Sequence, residues 1–177
     1  MEAIHGTTII GICRDSKIAI GGDGQVTMNA SVVKHRARKV RRIYNDAIIV
    51  GFAGATADAL SLTERLQEKL ERFNGNLTRA AAELARDWRT DKALRRLEAV
   101  MVAADGERMY LLSGNGDVIE PDDAVIGIGS GGSAAQAAAV ALMRHTDLDA
   151  GRIAEEALRI AAGICVYTND VITVEEI

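Results

Sequence analysis

A threonine, an aspartate and a glycine-rich loop are the residues of this chain best placed to do chemistry. Thr7 follows Gly6 and opens the apolar run Thr8-Ile9-Ile10-Gly11-Ile12. Inside a chain it is an ordinary strand start, because Thr is β-branched and favours strands. As the first residue of a chain cut between Gly6 and Thr7, it becomes a nucleophile whose base is its own freed α-amine. Such an amine titrates near about 7.7–8.0, close to the pH at which it must work, whereas a Lys side chain near about 10.4 serves better as a fixed charge. Other hydrolytic solutions are absent. There is no Gly-x-Ser-x-Gly elbow, and His5, His35 and His145 stand in no recognisable relation to a Ser, Cys or Asp.

The elements around these residues follow from pattern. Thr8 to Arg14 reads as a strand, Asp15-Ser16 as a turn, and Lys17 to Gly22 as a returning strand in a tight hairpin. The hairpin delivers Asp23, within Gly21-Gly22-Asp23-Gly24-Gln25, to the end of the sheet where Thr7 begins. Lys34 to Arg42 is dense in positive charge and reads mostly as a solvated edge or loop, from which one cation, Lys39 beside Val40, could turn inward. Ala47 to Ala53 is a buried strand. Two helices follow. The first, Thr56 to Phe73, has Leu60, Leu66 and Leu70 on one face. The second, Thr78 to Leu97, has Thr78 as N-cap and Ala81, Leu84, Ala85, Trp88, Ala93 and Leu97 as its apolar stripe, which makes Trp88 a core residue. Short strands at 99–104, 109–113, 118–119 and 125–128 lead to helices at 134–143 and 150–165 and a last strand at 171–174.

Strands that pair as hairpins, with helices that come in pairs, argue for an α+β chain. The expected architecture is a four-layer αββα sandwich of two antiparallel sheets flanked by helix pairs, in place of a βαβ parallel sheet. At 177 residues, 48% hydrophobic and 26% charged, the chain suits one domain with a proper core. A net charge of −4 and 3% aromatics give no reason to expect nucleic acid, and no apolar run reaches membrane-spanning length. Cys13 and Cys165 form no metal-spaced pair and read as free thiols of a reducing cytoplasm. The six residues before Thr7 have no apolar h-region and do not read as a secretory signal.

One motif points elsewhere. Gly127-x-Gly129-x-x-Gly132 matches the dinucleotide fingerprint, with Asp147 and Asp149 downstream. That site needs a βαβ unit with the acid at the end of the next strand, and here a second helix follows instead. No GxxxxGK[ST] occurs, so the chain carries no P-loop. The other use of such a loop is to offer backbone donors and a small hydroxyl, that of Ser130, near a reacting centre.

Thr7-Thr8-Ile9, GGDGQVT (21–27), RKVRRIYND (38–46), GFAGATADA (51–59), ELARDWRTDK (83–92), SGNGDVIEP (113–121), IGSGG (128–132) and ICVYTN (164–169) together carry a resemblance over the whole chain. They are similar to the HslV (ClpQ) family, the proteasome-related protease subunits of bacteria within the N-terminal nucleophile hydrolase superfamily. The resemblance implies a threonine endopeptidase. Thr7 matches the catalytic threonine, Asp23 the acid of the GDGQ loop, Lys39 the lysine of the KVRR stretch, Ser130 the serine of the GSGG loop, and Gly51 the glycine whose N–H helps hold the oxyanion. It implies a small apolar pocket for the residue before the cut, from Val26, Ala37, Gly51 and Ala55. It also implies a monovalent cation, sodium, on the backbone carbonyls of Ala162, Cys165 and Thr168, although relatives often have Gly at the first of these. Two stacked six-membered rings, a partner HslU-type ring ATPase that unfolds and threads protein substrates, and a cytoplasmic location are implied likewise. Many members have only a residue or a few before the first Thr. The six here imply a leader, 1–6, removed at Gly6–Thr7 to leave a single catalytic domain, 7–177. A catalytically silent ring subunit that keeps its leader and a dinucleotide-binding module stand as the alternative readings.

Overall fold

The computed structural model describes residues 4, 5, 7–92, 94, 97 and 99–177. Two antiparallel sheets lie face to face between two pairs of helices, as the order of elements in the sequence predicts. The first sheet is built on the hairpin of β2 (Thr8–Arg14) and β3 (Lys17–Gly22). Its two-residue turn places Asp15 and Ser16 at φ 52° and 62°, the left-handed pair that matches the twist of the flanking strands. β11 (Val125–Gly129) pairs with the outer edge of β2, and β12 (Thr173–Glu176) with that of β3, all antiparallel.

The second sheet runs in the order β10 (Val118–Ile119), β9 (Met109–Ser113), β8 (Ala99–Ala104), β7 (Ile48–Gly54), β6 (Val40–Ile43). A smaller sheet joins β1 (Ile4–His5), β4 (Val26–Met28) and β5 (Ser31–Lys34), so the segment before Thr7 pairs with β4. The basic run is loop over 35–39, as its charge suggests, and only its end enters β6, an edge strand. Val40 is buried between the sheets, and the residues on either side of it, Lys39 and Arg41, line a cavity on the other face.

Three apolar layers hold the sandwich. α1 (Thr56–Arg72) and α2 (Leu77–Thr90) cover the second sheet through Leu62, Leu66, Leu70, Leu84 and the fully buried Trp88. α3 (Gly132–His145) and α4 (Ala150–Ala162) cover the first through small residues, Ala135, Ala139, Ala154 and Ala157. Between the sheets lie Ile9, Ile18, Ile20, Val40, Ile49 and Val102. Gly51 belongs to this middle layer. A Cβ there would stand 2.7 Å from Ile9 Cγ2 and 3.0 Å from Ile20 Cγ2, so the glycine is what lets the sheets close over β2.

Some local expectations are corrected. Leu60 is exposed and Leu62 takes the core position. α2 is capped by Asn76, whose side chain accepts from the Arg79 N–H. Thr78 instead shares a hydrogen bond with the Tyr110 hydroxyl. α2 and α4 end earlier than their apolar runs suggest, and Ala93 lies outside the described residues. Among the described residues no helix is long and apolar enough to cross a membrane.

Filling the position of Gly51 wedges the sheets apart. Gly51→Ala is expected to destabilise the fold by about 1–3 kcal/mol, seen as a lower urea midpoint at unchanged slope.

Candidate active site

The hairpin brings Asp23 back beside the start of β2, and the carboxylate becomes the junction of the site. Its side chain is fully buried. Oδ1 accepts from the Thr8 backbone N–H at 2.8 Å and from Lys39 Nζ at 2.7 Å. Oδ2 accepts from the Gln25 N–H at 2.9 Å and the Asn169 N–H at 3.3 Å. The Asp23 N–H in turn donates to the Thr8 carbonyl at 3.2 Å. One carboxylate therefore ties β2, its own loop, the basic strand and the turn after α4 to one another, immediately beside Thr7.

Lys39 is held as tightly. Nζ donates to the Gln25 carbonyl at 2.6 Å as well as to Asp23, and the Lys39 carbonyl accepts from the Phe52 N–H, which extends β6 along β7. Burial lowers the ammonium below its ordinary range, because the charged form loses its water, and the Asp23 carboxylate opposes this both as a charge and as an acceptor. The lysine is thus a desolvated cation retained by one counterion.

From the other side, the end of β11 closes on Thr7. The Ser130 N–H donates to the Thr7 carbonyl at 2.8 Å, and a Cβ on Gly129 would fall 1.9 Å from that oxygen, at φ +86°. Only glycine permits this approach. The Gly131 N–H donates to Thr8 Oγ1 at 3.0 Å, and the same hydroxyl shares a 2.7 Å hydrogen bond with Thr168 Oγ1. The Gly127–Gly132 motif is therefore a clamp on Thr7 and Thr8. β11 runs antiparallel to β2 and Asp149 caps α4 through the Arg152 N–H, so the βαβ unit that a dinucleotide site requires is not formed.

Thr7 itself is 8% exposed and lies at the wall of a cavity of about 390 Å³. Ser130, Lys39, Val26 and Ala37 line it, with Phe52, Ala53, Gly54, Ala59 and Leu60. The structure thus gathers Thr7, Asp23, Lys39, Ser130, Val26 and Ala37. Two expectations are corrected. Gly51 does not line the cavity: it lies in mid-strand on β7, opposite Val40 of β6 and Val102 of β8, with Ile9 and Ile20 packed where a side chain would be. The strand end that reaches the cavity is Ala53-Gly54. Ala55, the N-cap residue of α1, does not line the cavity. Gly6 lies outside the described residues.

The profile of the Proteasome subunit family matches residues 3–177. The chain belongs to this family. It is 58% identical over 174 residues to the ATP-dependent protease subunit HslV of Aquifex aeolicus, covering 98% of this chain and 99% of that one. It is 59% identical over 177 residues to the protein of the same name from a Sulfurihydrogenibium species, covering 100% and 99%. Among solved structures, the eukaryotic HslV of Trypanosoma brucei superposes with a TM-score of 0.91 at 46% identity, over 96% of this chain and 98% of that one. Such a likeness accounts for the proteasome-like layering of sheets and helices.

Two positioning residues, Asn169 and Gln25, lie in stretches that carry the family resemblance but receive no role from the sequence. Asn169 accepts from the Gly24 N–H at 3.0 Å and donates through Nδ2 to the His35 carbonyl at 2.9 Å. Gln25 donates through Nε2 to Thr27 Oγ1 and to the Val166 carbonyl, both at 2.9 Å. Both bind backbone across more than a hundred residues, which spacing along the chain cannot disclose.

Asp23→Asn leaves Lys39 buried without its counterion, and such a loss costs on the order of 3–5 kcal/mol. Because a lowered folded pKa means that the unfolded chain binds more protons below about 10.5, stability rises with pH in that window. The variant's Lys39 falls further still, so its urea midpoint is expected to climb between neutral and alkaline pH more steeply than that of the parent protein. A flat difference between the two would contradict the coupling. Asn169→Ala is expected to lower kcat for peptide hydrolysis with a smaller effect on KM, since it frees the loops that hold Asp23 without touching the cavity wall.

Proposed function

We propose that this chain is the proteolytic subunit of a two-component ATP-dependent protease, a threonine endopeptidase whose nucleophile is Thr7. The observation that carries this reading is the convergence on Thr7 of the buried Asp23–Lys39 pair, the Ser130 N–H and an apolar cavity, in a chain of the proteasome family.

The chemistry runs on this chain's residues. With Thr7 first in the chain, its α-amine takes the proton from Oγ as Oγ attacks the scissile carbonyl; the C–N bond then breaks as the leaving amine takes that proton, and water hydrolyses the resulting ester to free the new carboxyl end and restore the Thr7 hydroxyl. The Thr7 methyl restricts χ1 and keeps Oγ aimed. Lys39 stabilises negative charge developing on Oγ and disfavours a protonated amine beside it. Asp23 holds Lys39 in position and offsets its charge. Gly54, at the end of β7 and in the cavity wall, takes over the oxyanion role expected of Gly51, and each such donor is worth roughly 10²–10³ in rate. The leader, residues 1–6, must be removed at Gly6–Thr7, since an amide nitrogen cannot act as the base.

The relatives' name makes them subunits of an ATP-dependent protease, and this chain has no P-loop motif. ATP is then handled by a separate ring ATPase of the HslU type, which delivers unfolded proteins to this subunit in the cytoplasm. A dodecamer of two stacked hexameric rings completes the reading. A sodium ion suits the carbonyls of Ala162, Cys165 and Thr168. Ala162 ends α4, and Cys165 and Thr168 lie in the tight turns that follow, where the Cys165 N–H meets the Ala161 carbonyl and the Thr168 N–H the Cys165 carbonyl; oxygen donors suit a hard cation. That ion would brace the turn from which Thr168 and Asn169 reach the site.

Thr7→Ala is expected to abolish hydrolysis of a fluorogenic peptide ending in an apolar residue, while folding and thermal midpoint stay close to those of the parent. Normal turnover in that variant would exclude Thr7 as nucleophile. Lys39→Ala is expected to reduce the rate by at least about 10²-fold with the fold retained, as loss of a strong electrostatic contribution does; wild-type rates would exclude its role.

A further inference from the structure

The cavity beside Thr7 has a charged rim that the catalytic chemistry does not use. Its floor is apolar, from Val26, Ala37, Phe52, Ala53 and Leu60, but Lys34, Arg36, Arg38 and Arg41 stand around it. Among the described residues no Asp or Glu lines it, in a chain whose 25 acidic residues outnumber its 21 basic ones. Lys39 is already neutralised by Asp23. The four rim cations form no salt bridge among the described residues. Nor are they carried on a loose segment. The Ala37 N–H donates to the Gly24 carbonyl at 2.9 Å and Asn169 Nδ2 holds the His35 carbonyl, so the backbone between Lys34 and Arg38 is fastened to the loop of Asp23.

Resting on the protease reading above, we propose that this rim selects polypeptides that carry acidic side chains next to the apolar residue entering the cavity. Like charges gathered at a concave, partly apolar wall focus their field outward and raise the local concentration of anions. Four cations without a salt bridge among the described residues repel one another, Arg38 and Arg41 less so because Asp46 and Glu175 share a second cavity with them, and an acidic segment relieves that repulsion on binding. Flanking contacts of this kind are made equally in the ground state and the transition state. They act on KM and on association, and leave kcat almost unchanged. Exposed charges are screened at high ionic strength, with a Debye length falling from about 10 Å at 0.1 M to about 3 Å at 1 M.

The test uses three fluorogenic peptides that share one apolar residue before the cut and differ only in the flanking pair, Glu-Glu, Gln-Gln or Lys-Lys. With the full chain, kcat/KM is expected to fall in that order, by roughly tenfold from first to last at low salt, through KM. The spread should collapse towards unity at about 1 M salt. Arg36→Glu combined with Arg38→Glu is expected to reverse the order; Arg36→Gln alone should narrow it. Equal kcat/KM for the three peptides at low salt, or an order that salt and these variants leave unchanged, would overturn the proposal. Fluorescence anisotropy of the same peptides on the Thr7→Ala chain reads the rim without any chemistry. Preferential binding of the Glu-Glu peptide there, with no hydrolysis by the parent chain, would sustain the rim and refute the protease reading. Hydrolysis without charge preference would do the reverse.

Discussion

The site depends on one buried ion pair. The Asp23 carboxylate and Lys39 ammonium meet at 2.7 Å with both side chains almost wholly out of water. A pair of this kind adds little net stability, because the cost of desolvating two charges offsets their attraction, yet removing either partner is expensive. Its value here is geometric. Asp23 spends its remaining acceptor capacity on the N–H groups of Thr8, Gln25 and Asn169. Four segments distant in sequence are thereby fixed in one register, and the residue before Thr8 inherits that precision.

The sandwich supplies the rest of the constraint. β2 is covered on one side by β11 and on the other by β3, so Thr7 emerges from the protected centre of a sheet. The Thr7 carbonyl is held by the Ser130 N–H and the Thr8 hydroxyl by Gly131 and Thr168. With carbonyl and successor both anchored, Thr7 is held at the cavity wall, where its amine and hydroxyl act once the preceding bond is cut. Sequestering the backbone in this way is what a nucleophile carrying its own base requires, since a small drift of the α-amine from Oγ would separate base from proton.

Much of this was legible in the sequence, for identifiable reasons. The hairpin of residues 8–22 is short-range, so the meeting of Thr7 and Asp23 follows from local turn chemistry. The αββα layering follows from hairpin strands and paired helices, and the rejection of a dinucleotide site from the same connectivity. Lys39 had to be separated from six other cationic or polar residues of the run, and what separates it is the meeting with Asp23 and the Gln25 carbonyl, contacts between segments that the run itself does not encode. Gly51 shows the opposite case. The resemblance implied an oxyanion role for its N–H, but Gly51 lies in mid-strand between β6 and β8, away from the cavity wall, and which residue of β7 reaches that wall is set by the neighbouring strands. Asn169 and Gln25 bridge segments more than a hundred residues apart through backbone contacts, which no periodicity encodes. The capping of α2 by Asn76 was missed for a simpler reason: two good cap residues, Asn76 and Thr78, lie within one turn, and a tertiary partner, Tyr110, claims the second.

The central claim is that Thr7 acts only as the first residue of the chain, through its own amine. It is tested most directly by following intact mass and peptide hydrolysis together on one purified sample as it matures. The account predicts that activity rises in proportion to the fraction of chains that have lost residues 1–6, and that both a chain blocked from losing them by Gly6→Pro and a chain beginning at Thr7 with its amine acylated stay inactive while folded. Full activity in chains that retain the leader would contradict it.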